Sequence, residues 1–273
     1  MRRRAALALG RVGLAEAVEP LTARLSDEEP EVRQMAAFAL GLIGDPSARP
    51  ALIAALNDPS PLVQGRAAEA LGQIGDRADA PAVSEMVQAH VRAGVLNMLQ
   101  PDDVQYPLSP EAEAARLGFY ALVRLGSYEA LAAAALDAGG QPVSRWWPVA
   151  YSLNRINDAR ATPALLALLN TPGRYTAAFA ARGLGVIKAA SAAEPLRQVI
   201  DRRQASTPVL VQVVRALAAI QDAGAVTPLT RLVTEPQVDE LLRLEALNAL
   251  GAIKAPPAVD LFLDLLSDTS AAL

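Results

Sequence analysis

Three segments, Arg4–Leu14 (RAALALGRVGL), Met35–Asp45 (MAAFALGLIGD) and Arg66–Asp76 (RAAEALGQIGD), align without a gap, each 31 residues after the last. Self-similarity at this period means that one short unit recurs, and a unit this short cannot bury its own apolar face. Neighbouring units must therefore stack. The glycines Gly13, Gly44 and Gly75 mark one column, and the frame continues through Gly126, Asn157, Lys188, Gln221 and Lys254 at spacings of 51, 31, 31, 33 and 33. That makes eight units, with one insertion of about 20 residues between the third and the fourth. A second column holds Leu at positions 40, 71, 122, 153, 184, 217 and 250.

Each unit reads as two helices. One carries Ala and Leu at helical spacing, as in Val32, Ala36, Ala39, Leu40 and Ile43, and ends at Gly-Asp or an equivalent turn. The pattern Gly10-x-x-Gly13 and its repeats are expected to terminate helices, since it recurs in register with the repeat and so does not cradle phosphate. The next helix starts near Pro20, Pro50, Pro81, Pro163, Pro195 or Pro228, where a missing N–H costs nothing. Composition agrees: 57 Ala and 40 Leu in 273 residues favour helices, and 4% aromatic residues is too few for an ordinary β-sandwich.

The same composition excludes several chemistries. Without Cys there is no disulfide scaffold, thiol catalysis, zinc ribbon or iron–sulfur cluster, and His90 alone cannot supply two imidazoles. No apolar run approaches the roughly 20 residues that span a bilayer. The apolar stretch after Met1-Arg-Arg-Arg stops at Arg11, too short for a signal-peptide core. A net charge of −4 argues against nucleic acid as the partner.

The run Val-Arg-x-x-Ala-Ala-x-Ala-Leu-Gly-x-Ile-Gly-Asp at 32–45, followed by Pro50, resembles the short bacterial HEAT-like repeat, also called the phycobilisome-lyase type. The resemblance covers nearly the whole chain and implies an all-α fold, a right-handed α-α superhelix (solenoid) of about eight helix pairs with one irregular insertion. The expected organisation is one solenoid over 1–273: regular repeats at 1–81, an extended helix to about Leu99 with an insertion loop at 82–111, and further repeats at 112–273. More narrowly, Ser144–Asn157 (SRWWPVAYSLNRIN) is similar to arrays that precede a cyclophilin-type peptidyl-prolyl isomerase domain. Neither end carries an obvious polar cap, so a fragment of a longer protein, or ends covered by another domain or chain, is expected.

By the same resemblance, the helix bearing Phe38 forms the inner wall. Its outward column reads Leu7, Phe38, Glu69, Tyr120, Tyr151, Arg182, Arg215 and Asn248, and positions four residues to either side share that face. The middle of the strip gathers Arg116, Tyr120, Arg124, Trp147, Tyr151, Arg155, Arg182 and Arg215. Aromatic residues and Arg are enriched at binding hot spots, so these eight are the candidate partner-binding groove. The alternative is that their stems and rings simply pack between helices. Of Trp146 and Trp147, one is expected to wedge between repeats and the other to face the groove. Asp27, Asp58 and Arg33 read as structural pairs between repeats. His90, Asp102 and Asp103 near the insertion are too weak a constellation for a metal, and a capping or groove-edge role is expected of that loop.

The function expected is a non-catalytic scaffold that binds a protein or peptide segment along its concave surface, with acidic or aromatic anchors on the partner. No catalytic, cofactor or metal residues, no nucleic acid and no membrane are implied, and the compartment expected is the cytoplasm. The alternatives are the HEAT region of a larger peptidyl-prolyl isomerase, or a phycobilin-lyase-like subunit. A di-iron HEAT-like hydroxylase needs repeated His-Glu pairs, and His90 is followed by Val91. A HEAT-like DNA glycosylase would match Trp147 and Arg155, but not the net charge of −4.

Overall fold

The computed structural model describes residues 1–202 and 204–267. Sixteen α-helices run through these residues as eight consecutive pairs. They are α1 (Arg2–Val12) and α2 (Val18–Arg24), α3 (Pro30–Ile43) and α4 (Arg49–Ala55), α5 (Pro61–Ile74) and α6 (Ala80–Arg92), and α7 (Pro110–Leu125) and α8 (Tyr128–Ala135). After these come α9 (Trp147–Arg155) and α10 (Thr162–Leu169), α11 (Arg174–Val186) and α12 (Ala193–Arg202), α13 (Thr207–Ile220) and α14 (Val226–Thr234), and α15 (Glu240–Ile253) and α16 (Val259–Ser267). The described residues hold no β-strand, only an isolated bridge between Leu136 and Pro142. The fold is an all-α repeat solenoid. Its contacts divide it into two compact units, Met1–Ser152 and Leu153–Leu273, with the boundary inside α9.

The repeated column has one backbone conformation throughout. Gly13, Gly44, Gly75 and Gly126 adopt φ of 74°, 73°, 85° and 66°, and Asn157, Lys188, Gln221 and Lys254 adopt 52°, 51°, 63° and 56°. This left-handed turn ends every odd-numbered helix. Glycine adopts it freely and asparagine more readily than other residues, so Lys188, Gln221 and Lys254 each carry about 1–2 kcal/mol of backbone cost. After the turn, the carboxylates of Asp45, Asp76, Asp158 and Asp222 accept the N–H two residues on, at 2.8, 2.9, 2.9 and 3.2 Å. Each thereby caps a single 3₁₀ turn that leads into the even-numbered helix.

The first glycine of Gly-x-x-Gly does something else, and this corrects the expectation that both terminate helices. A Cβ built on Gly10 would lie 2.7 Å from Ala39 Cα, and one on Gly41 or Gly72 would lie 2.8 Å from the Cα of Ala70 or Ala121. In the second unit Gly185 meets Ala216 Cα in the same way, at 2.7 Å. The missing side chain lets successive odd-numbered helices touch backbone to backbone. Each such helix also packs on the even-numbered helix before it: α3 on α1 and α2, α5 on α3 and α4, α13 on α11 and α12, and α15 on α13 and α14. Under this contact the Leu column is sealed, with Leu40, Leu71, Leu122, Leu153, Leu184, Leu217 and Leu250 all at 0% exposure.

Ser152 stands in the Ala column, fully buried, and its hydroxyl has no hydrogen-bond partner among the described residues. An unpaired buried hydroxyl forfeits its bonds to water. Ser152→Ala is therefore expected to raise the unfolding free energy by about 1 kcal/mol, read as a higher denaturation midpoint. No gain, or a loss, would show that the hydroxyl is satisfied in solution.

The helix expected to reach about Leu99 ends at Arg92 instead. Gly94 takes φ 77°, its N–H donates to Val91 O at 2.9 Å, and the N–H of Val95 reaches back to His90 O at 3.4 Å. This closing motif satisfies the last carbonyls and stops the helix. Arg33 forms the expected inter-repeat pair, donating from Nε and Nη2 to the two oxygens of Asp58 at 2.7 and 2.8 Å. The carboxylate of Asp27 instead meets Arg2 at 3.1 Å, and its backbone carbonyl accepts from Arg33 at 2.9 Å.

Candidate partner-binding site

Five of the eight strip residues lie in the first unit, and four of them form a contiguous stack. Helical spacing puts Arg116, Tyr120 and Arg124 on one face of α7, and Trp147 and Tyr151 on one face of α9. The rings of Tyr120 and Tyr151 meet edge to face, centroids 5.2 Å apart at 68°, and Trp147 meets Tyr151 at 6.4 Å and 79°. The Arg116 guanidinium lies 5.1 Å from the Tyr120 centroid and 5.8 Å from that of Tyr106. Trp147, Tyr151, Tyr120 and Arg116 are half-buried, so each keeps one side open to solvent, while Arg124 is exposed at the end of the row. The row continues on α3 and α5, where the Arg66 guanidinium sits 5.3 Å from the Phe38 centroid.

The cations of the strip are not equivalent. Arg116 is held by Glu113 in a two-pronged ion pair at 2.8 and 2.7 Å. Burial by itself would lower its pKa, but the Glu113 hydrogen bonds and charge outweigh this and raise it. Arg116 thus stays charged but is already neutralised by its neighbour. Burial raises the Tyr120 phenol above its ordinary value, against the opposing pull of Arg116, so it remains a neutral donor. In the second unit, Arg215 is paired with Glu245. Arg182 and Arg215 line a shallow cleft with Gly185, Val186 and Gln212. Arg155 and Arg182 are exposed.

The insertion joins the first-unit stack, which the sequence pattern did not reveal for any particular residue. The indole N–H groups of Trp146 and Trp147 both donate to the carbonyl oxygen of Asp103, at 3.1 and 3.0 Å, and the Trp147 backbone N–H donates to Pro101 O at 2.8 Å. These bonds pin the loop so that Tyr106, 62% exposed, stands over Arg116. Trp146 is the wedge, 1% exposed, and Trp147 is the half-open partner. The only signal in the sequence for Tyr106 is its place in a loop bounded by Pro101 and Pro110.

His90 belongs to a repeat contact. Its Nε2 lies 2.7 Å from Gln64 Oε1, and Gln64 Nε2 donates to Asp58 O at 2.6 Å. Gln64 stands 31 residues after Arg33, so the third pair replaces the charged Arg–Asp contact with a neutral Gln–His one. Burial lowers the His90 pKa below its ordinary 6.5, with Glu111 opposing. The unfolded chain therefore takes up this proton first as pH falls, and stability present above 6.5 is lost as pH drops toward the folded value. Denaturation midpoints at mildly alkaline and mildly acidic pH should show that loss, and His90→Gln should reduce it. An unchanged pH dependence in the variant would rule out His90 as its source. Among the described residues no group of three or more His, Cys, Asp or Glu is placed to hold a metal ion. None of the described helices is long and apolar enough to cross a membrane.

A family model described as HEAT repeats matches residues 18–99 and 202–273, and one described as PBS lyase HEAT-like repeat matches residues 1–27. No curated protein matches the sequence. Among solved structures, an engineered protein is 22% identical, with 98% of this chain and 81% of that one covered and a TM-score of 0.50. The complex of CpcE and CpcF of phycocyanin lyase from Nostoc sp. PCC7120 is 24% identical, covering 92% and 88%, with a TM-score of 0.46. Human deoxyhypusine hydroxylase in complex with glycerol is 21% identical, covering 92% and 89%, with a TM-score of 0.38. At these identities the likeness to the engineered protein bears on the fold alone.

Proposed function

The chain belongs to the HEAT-repeat family, whose model matches more than half of its length, and we propose from that premise that it is a non-catalytic protein-interaction scaffold. The repeat fold itself supports an interaction role, since stacked helices offer a long continuous surface. The finer reading is that a peptide or protein segment lies along the α7–α9 face of the first unit, against Trp147, Tyr151 and Tyr120. One observation carries it: three aromatic rings and a guanidinium in an unbroken series of contacts, all half-buried, in a chain with 4% aromatic residues. Half-buried aromatic rings lose little side-chain freedom on binding and offer large apolar area with a polar handle.

The charge preference of the partner is narrower than the number of strip arginines suggests. Arg116 and Arg215 are each neutralised by a glutamate, so attraction for a carboxylate falls to Arg124 on this face, and to Arg155 and Arg182 in the second unit. The partner segment is accordingly one with aromatic or other flat apolar anchors and a single acidic residue near Arg124. The test replaces Tyr120, Tyr151 and Arg124 together, Tyr to Ser and Arg to Ala. Partners captured from native-host lysate by the wild-type chain are identified and titrated against the variant. Removing hot-spot side chains should weaken binding at least about tenfold. Equal recovery and affinity with a folded variant would reject this face as the site.

A further inference from the structure

Two neighbouring helices of the second unit carry positive charge and no negative charge. Helix α11 has Arg174 and Arg182, α13 has Arg215, and neither has an Asp or Glu, in a chain with 29 acidic and 25 basic residues. Their closest approach is the backbone contact between Gly185 and Ala216. Arg182 stands three residues before Gly185 and Arg215 one residue before Ala216, so the two side chains start from opposite walls of one cleft. The cleft holds about 350 Å³. Arg182, Gln212 and Arg215 supply its polar lining, and the buried Gly185 and Ala216, with Ala219 and the 49% exposed Val186, supply the apolar part.

The polar groups here are almost all donors. Arg182 and the Gln212 amide have no hydrogen-bond or ion-pair partner among the described residues. Arg215 donates from Nε and Nη2 to the two oxygens of Glu245 on α15, and its Nη1 is bonded to no described residue. Glu245 thereby cancels the charge of Arg215, and no acidic residue lines the cleft itself. A guanidinium only donates and an ionised carboxylate only accepts, and bonds between the two are roughly twice as strong as neutral ones.

The charge count narrows the ligand. With Arg215 cancelled, the positive charge of Arg182 remains, and a single carboxylate matches it. A phosphate group, at about −1.5 to −2, would leave negative charge uncompensated. A carboxylate at a chain end is captured by nests of free backbone N–H groups. The N–H groups of Gly185 and Ala216 lie within helices, where each is bonded to the carbonyl four residues back. Arg124 provides a contrast, because its recess holds only about 40 Å³ and is lined by Glu69 as well.

We infer that the α11–α13 cleft binds the side-chain carboxylate of an acidic residue in an extended peptide segment. Arg182 grips the carboxylate, Gln212 Nε2 and Arg215 Nη1 donate from the other wall, and Val186 and Ala219 receive the adjoining methylene groups. This site is independent of the α7–α9 face, because it uses neither helix.

NMR of the arginine Nε–H groups in the 273-residue chain tests it, with the capped peptide acetyl-Ala-Glu-Ala-amide as the probe. The Arg182 signal should shift and saturate at millimolar peptide, while those of Arg124 and Arg155, which are also exposed, should drift without saturating. Replacing Glu by Gln in the probe should weaken binding at least about tenfold, as should Arg182→Gln in the protein. Val186→Glu, one turn after Arg182 at an exposed position, installs a competing carboxylate while keeping every donor, and should also block the probe. An Arg182 signal that moves only as Arg124 and Arg155 do would overturn the inference. So would equal affinity for the Glu and Gln peptides, or undiminished binding by either folded variant. Tighter binding of acetyl-trialanine with a free C-terminus would overturn it too, since the ligand would then be a chain end.

Discussion

Trp146→Ala is expected to lower the unfolding free energy by about 3–5 kcal/mol, the range for truncating a large buried aromatic residue. Trp146 is 1% exposed and heads the fully buried side chains by volume. Its removal leaves a cavity and also deletes an indole N–H that donates to Asp103 O at 3.1 Å. Trp147 donates to the same oxygen but is only half-buried, so Trp147→Ala should cost about 1–2 kcal/mol. Urea denaturation followed by circular dichroism separates the two. Limited proteolysis supplies a second readout, because cleavage within 100–109 should accelerate most in Trp146→Ala. A loss below about 1 kcal/mol for Trp146→Ala would mean that the wedge does not hold the loop to the repeats.

The second large effect is expected at Gly72. Gly72→Val should cost about 3 kcal/mol, the upper end for overpacking, because the first atom added would lie 2.8 Å from Ala121 Cα. Backbone atoms cannot rotate aside as a side chain can, so α7 must move off α5. Gly75, three residues later, provides the contrast: nothing lies within 4 Å of a Cβ there, and the only obstacle is φ of 85°. Gly75→Ala should therefore cost about 1 kcal/mol, set by the left-handed backbone alone. If the two variants lost equal stability, the close helix approach would not be the reason for glycine at position 72. Comparing their denaturation midpoints in one buffer decides this.

Much of the repeat was legible because it is a local and periodic property. The column running from Gly13 to Lys254 could be traced from spacing alone, even where glycine gives way to Asn157, Lys188, Gln221 and Lys254, and all eight positions share the left-handed turn. The Leu column was legible for the same reason: a residue repeated in register is one that stacked units bury, as they do from Leu40 to Leu250. The two glycines of Gly-x-x-Gly could not be told apart in this way. One is needed for its own backbone angle, which is local. The other is needed because another helix passes so close that a Cβ would lie 2.7–2.8 Å from its backbone, and nothing in its own unit records that neighbour.

The candidate site divides along the same line. Helical spacing placed Tyr120 with Arg116, and Tyr151 with Trp147, before any tertiary information was needed. Spacing did not reveal that Glu113 neutralises Arg116, that Glu245 neutralises Arg215, or that Tyr106 joins the stack from a loop. Ion pairs and loop placement depend on which side chains meet in space, and their energies depend on how far water is excluded there.

By itself, the amino-acid sequence determined the period, the helix pairs, the turn that ends each odd-numbered helix and the residues that form the buried column. All of these follow from interactions within about one unit and its repetition. Only the tertiary structure decided which arginines keep an available charge, how Trp146 and Trp147 anchor the insertion through Asp103, and where successive helices meet backbone to backbone. These depend on distances between segments far apart in the chain, which a repeating pattern does not record.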